Sequence, residues 1–145
     1  AAEAETFAAI APDAPEVAAL RQYADQGVAT ETDLVASFPQ AADAMIAASE
    51  PENPNAGVLQ RLLDSAQSVV KVRPVGSVAG DEPGARIARM EVALKDGDLQ
   101  KAMAEYDGLP DTVKQAGAAL ADRIKARIEV TKLVDQLVAN AMKSA

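Results

Sequence analysis

The chain has 145 residues, a net charge of −8, no cysteine, no histidine and only 3% aromatic residues. The missing thiols and imidazoles exclude a disulfide scaffold, a zinc finger, and Cys–His or Ser–His–Asp nucleophilic catalysis within this sequence. Residues 1–82 hold 4 basic and 13 acidic side chains (−9) and residues 83–145 hold 10 and 9 (+1), which excludes a nucleic-acid partner and sets the N-terminal half against an anionic membrane.

Thirty-three residues, by count along the chain, are alanine. Alanine has the highest helix propensity and lets helices approach closely, so the composition points to an all-α fold with thin helix–helix seams. The length suits one domain with a single core. We expect a bundle of six to seven helices with a central helical hairpin and a long C-terminal helix. No run of about 18 apolar residues is present, so no segment reads as a membrane span. Ala1 opens without the basic region of a signal peptide.

In chain order, residues 3–10 suit a short helix with Phe7 and Ile10 on one side, and Ala11-Pro12-Asp13-Ala14-Pro15 breaks it. Residues 1–14 read as the partly ordered remnant of an upstream region. A helix from about Pro15 to Gln26 buries Val17, Leu20 and Tyr23, with Pro15 in its first turn and Gly27 as its stop. Thr30 and Asp33 have capping-box spacing and open a helix carrying Leu34, Val35 and Phe38. Pro39 lacks an amide hydrogen and disfavours a helical Phe38, so a new helix is expected to start there and reach Ala48 through Met45.

The polar run Ser49–Asn55 reads as a loop. Val58, Leu59, Leu62, Leu63, Ala66, Val69 and Val70 then recur at helical spacing over about 56–71. An irregular connector follows, rich in Gly, Pro and Asp. Ile87, Met90, Val92 and Leu94 form the first arm of a hairpin, Asp96-Gly97-Asp98 its turn, and Leu99, Met103 and Tyr106 its second arm. Gly97 can take positive φ to end one helix, and Asp98 can cap the next. Leu109-Pro110-Asp111 opens a final helix toward Lys143. Unbroken it would be roughly 50 Å long at 1.5 Å per residue, longer than a compact domain of this size, whose diameter is about 40 Å. Either Gly117 or a turn near Thr131 interrupts it, or its end projects.

Nothing here forms a catalytic constellation. Asp96 and Asp98 lack the further oxygen ligands of a calcium loop and read as helix caps. No glycine pattern cradles a phosphate. No cofactor and no metal are expected. The candidate interaction surface is the broad apolar face Val130, Leu133, Leu137, Val138 and Met142, which either completes the core or meets a partner. The candidate polar or lipid-phosphate contacts are Arg73, Arg86 and Arg89. For Arg86 and Arg89, ion pairing with Glu82 and the neighbours of Glu91 is the default expectation. Pro74 holds Arg73 out of the helical region, which suits it to hydrogen-bond loop carbonyls ahead of a ligand.

Three motifs occur together: Val70-Lys71-Val72-Arg73-Pro74-Val75-Gly76, the turn Gly80-Asp81-Glu82-Pro83, and the run from Ala85-Arg86 through Glu91, Gly97-Asp98-Leu99 and Ala102 to Leu109-Pro110. Leu20-Arg21-Gln22-Tyr23-Ala24, Gly27-Val28 and Phe38-Pro39 accompany them upstream. In this combination the chain resembles the C-terminal domain of the mitofilin family, in its alphaproteobacterial form, from about Ala11 onward. The resemblance implies one non-enzymatic domain over residues 1–145. It would belong to an inner-membrane protein exposed to the bacterial periplasm, or to the mitochondrial intermembrane space if the source is eukaryotic.

Proteins of that family assemble and shape cristae or intracytoplasmic membranes. The implied partners are other copies of the chain and an outer-membrane assembly protein, with lipid contact mainly through residues preceding Ala1. The acidic start AAEAETFAAIAPD, without Lys or Arg before Arg21, departs from the family's lipid-binding helix. The alternative is a periplasmic helical-hairpin adaptor that holds a partner peptide or helix without remodelling membrane.

Overall fold

The computed structural model describes residues 5–6, 8–9, 11, 13–50 and 78–144. The expected helix at 56–71, the connector with Arg73, and most of the Ser49–Asn55 loop lie outside the described residues. Among the described residues the architecture is an all-α bundle. Its elements are α1 (Pro15–Ala24), α2 (Glu31–Ser49), α3 (Pro83–Lys95), α4 (Leu99–Asp107), α5 (Asp111–Ala116) and α6 (Ala118–Ser144).

Helix α2 opens with the capping box foreseen for Thr30 and Asp33. The Asp33 amide donates to Thr30 Oγ1 at 3.1 Å, and the Thr30 amide donates to Asp33 Oδ2 at 3.0 Å. Accepting from Thr30 holds the Asp33 carboxyl below its ordinary pKa. The expected restart at Pro39 does not occur, because α2 runs unbroken for 19 residues with Pro39 inside it. Leu34, Phe38, Ala42 and Met45, at helical spacing on both sides of the proline, are all at most 1% exposed in one core. Burying all four on one helix face outweighs the roughly 3 kcal/mol that an interior proline costs, and the ring itself faces solvent.

The α3–α4 hairpin turns as its sequence indicates. Gly97 has φ +76°, the left-handed region. The Asp98 amide donates to Ala93 O at 2.8 Å and the Gly97 amide to Leu94 O at 3.2 Å, the paired bonds of a Schellman C-cap. Asp98 Oδ1 then accepts from the Lys101 amide at 3.0 Å and caps α4.

The interruption of the last helical segment falls at Gly117, one of the two positions expected, and α6 continues through Thr131 to Ser144. Close approach explains the choice of residue. A Cβ at Gly117 would lie 2.5 Å from Met45 Sδ and 3.3 Å from Tyr106 Cε2. Tyr106 donates its hydroxyl hydrogen to Lys114 O at 2.6 Å, tying α4 to α5. Burial, with Asp122 and Asp107 nearby, pushes the Tyr106 phenol above its ordinary pKa.

The main core gathers α2, α3, α4, α5 and the first half of α6 around Phe38, Met45, Ile87, Met90, Val113 and Ile124. A second, smaller cluster stands apart from it. There Val17 and Leu20 of α1 meet Leu133 and Leu137 of α6. At 27 residues α6 is about 40 Å long. Its second half carries α1.

Candidate interaction surface

Two features bear on function, and the first is a polar lock across the hairpin. Arg89 of α3 grips Glu105 of α4 with a bidentate fork: Nε to Oε1 at 2.9 Å and Nη2 to Oε2 at 2.9 Å. Its remaining nitrogen, Nη1, donates to Val78 O at 2.6 Å and Gly80 O at 2.7 Å. Arg86 sits one turn away. Its Nη1 lies 3.4 Å from Glu105 Oε2, its Nη2 lies 3.0 Å from Asp81 Oδ1, and its Nε donates to Asp81 O at 3.3 Å.

The three charged side chains are only 17–23% exposed. A planar fork matched to a carboxylate is the strong form of ion pair. The hydrogen bond from Arg89 holds the Glu105 carboxyl below its ordinary pKa, against the opposing effect of burial, and the same bond raises Arg89. The lock therefore fastens residues 78–81 to both arms of the hairpin.

The arginines pair differently from the sequence expectation. Glu105, seven residues beyond the turn, is the shared acceptor, and Glu91 pairs with Lys95 at 2.9 Å. Loop-carbonyl bonding, expected of Arg73, is made by Arg89. Every guanidinium nitrogen of Arg89 is engaged within the chain, so it and Arg86 act here as fasteners of the fold. No local signal in the sequence marked Glu105, which reaches the arginines only after the chain reverses at Gly97.

The second feature is the end of α6. Leu133 and Leu137 are 8% and 4% exposed because α1 covers them. Val130 is half-buried beside them. The apolar stripe outlasts its cover, since Val138 is 44% exposed and Met142 75%. Of the five residues proposed as one surface, three are thus engaged within the chain and two face solvent. Periodicity placed all five on one face, but only the path of α1 divides them.

Beside this end, a groove of about 560 Å³ runs between the start of α2, the α3–α4 turn and α6, rimmed by Glu31, Asp98, Lys132 and Asp135. Its lining mixes polar side chains with Leu99, Ile128 and Ala139, and it is open to solvent, unlike the enclosed pockets that small-molecule sites favour. No group of three or more potential metal ligands is present among the described residues. No described helix is long and apolar enough to cross a membrane.

Comparison with known proteins returned no matching family model, curated protein or solved structure. The surface therefore rests on its own residues: a hairpin whose arms are locked by ion pairs, and a helix end whose apolar groups Val138 and Met142 stay exposed.

Proposed function

We propose that this chain is a non-enzymatic membrane-architecture module of an inner-membrane, mitofilin-like protein, acting through self-association or partner contacts on the periplasmic side. The supporting observation is the apolar stripe of α6, which continues past its intramolecular cover to Val138 and Met142. The family-like motif is consistent with that reading. Arg86, Arg89 and Asp98 within it serve to hold a hairpin, with Glu105 as the arginines' shared acceptor. An ion-paired hairpin beside a helix end with exposed apolar groups suits an assembly part better than a reaction site, where perturbed acid–base groups would be poised in a cleft.

Sedimentation velocity over a wide concentration range tests the proposal, with Val138→Asp/Met142→Asp run beside the parent chain. A rising mass in the parent that the variant loses is the expected result. A parent that stays monomeric at every concentration would count against it.

A further inference from the structure

Helix α1 relates to the rest of the molecule differently from every other helix. Its buried side chains, Val17 and Leu20, join Leu133 and Leu137 in a cluster separate from the main core. Its principal packing partner is the second half of α6. Only one side-chain hydrogen bond is described between the two, from Asn140 Nδ2 to Glu16 Oε1 at 3.2 Å. The helix has ten residues and its N-terminus receives no side-chain cap. Helices so short are marginal in water without a surface to pack on, so α1 owes its helical state to its seat on α6. A six-residue stretch, Asp25–Thr30, joins it to α2, which belongs to the main core.

We infer that α1 is an exchangeable strap, and that the seat on α6 is where two copies of this chain join by trading their α1 helices. This rests on the self-association reading above and names its geometry. The occupant follows from identity: the α1 of a second copy presents the same Val17, Leu20 and Glu16 to the same Leu133, Leu137 and Asn140. Exchange therefore loses no contact of the monomer and needs only the Asp25–Thr30 stretch to open, which is the low-cost route to a symmetric dimer. Val138 and Met142, next along α6, are exposed in the single chain and adjoin the seat.

The chain contains no cysteine, so thiols can be introduced one at a time. Glu16→Cys and Asn140→Cys alter surface positions that touch in the structure. A double variant treated with a short bismaleimide should form an intrachain link. If it does not, the α1 seat itself falls. The deciding sample is a mixture of the two single variants, incubated at high concentration before crosslinking. A covalent dimer that grows with incubation time in the mixture, and is absent from either variant alone, is expected. No such dimer, with the mixture nevertheless associated by sedimentation, would overturn the exchange and leave self-association through another face. No covalent dimer from a mixture that is monomeric throughout would overturn both.

Discussion

Replacing Glu105 with Gln keeps the shape of the side chain but removes the carboxylate that Arg86 and Arg89 share. Three contacts at 2.9, 2.9 and 3.4 Å lose their charge. Hydrogen bonds to charged groups contribute about 1.5–3 kcal/mol each when well made. The site keeps 17% exposure on its best pair, so solvent screening reduces the sum, as it does for surface pairs. A net loss of about 2 kcal/mol is expected at pH 7, between the surface limit and the 3–5 kcal/mol of a fully buried pair. For a domain of this size, that is a fall in melting temperature of roughly 5–10 °C.

The direction with pH follows from Glu105 being depressed in the folded chain. Its contribution is present above the unfolded value, near 4.5, and is lost as pH falls through the lower folded value. The gap between parent and variant should therefore be full at pH 7 and close as the pH drops below 4.5. Urea unfolding followed by helical circular dichroism at several pH values measures both. A variant within about 0.5 kcal/mol of the parent at pH 7, the scatter of ordinary surface changes, would refute the lock. So would a deficit that persists undiminished in acid.

Three further substitutions test the frame. Gly117→Ala narrows the unfolded chain's freedom, worth about 0.4–1 kcal/mol at a φ of −100° that alanine tolerates, but drives a methyl group against Met45 and Tyr106. A net destabilisation of about 1–2 kcal/mol by overpacking is expected in thermal melts, and a stabilised variant would contradict the contact. Pro39→Ala restores an amide donor on the exposed side of α2 and should raise the urea midpoint by the equivalent of about 1–2 kcal/mol, after the unfolded chain's gain in freedom is subtracted. Asp98→Ala removes the cap of α4 and should cost about 1 kcal/mol, with faster amide hydrogen exchange at Lys101 as the local readout.

The family-like pattern accounts for more of the hairpin than for the surface. Gly97, Asp98 and the apolar positions of α3 and α4 act through neighbours a few residues away, so their spacing is enough to read them. Arg86 and Arg89 were recognisable as a pair on one helix face, yet their acceptor was not, because Glu105 reaches them only after the chain reverses. At the α6 end, a stripe wider than one neighbour needs was visible in the sequence. Which part of it stays open depends on a helix more than a hundred residues away.

Sequence alone determined the class and the punctuation: an alanine-rich all-α chain, the Thr30–Asp33 box, the Gly97 reversal, and the absence of any thiol or imidazole. These are local or compositional properties, set by propensity, capping and the chemistry of residue types. Tertiary structure decided the rest. It kept α2 whole through Pro39, because the core on both sides of the proline outweighs one lost backbone bond. It placed the break of the last segment at Gly117, where Met45 and Tyr106 leave no room for a side chain. It turned two arginines into fasteners and placed α1 on Leu133 and Leu137. Each of these outcomes depends on which surfaces meet, and periodicity along a single helix carries no record of its neighbour.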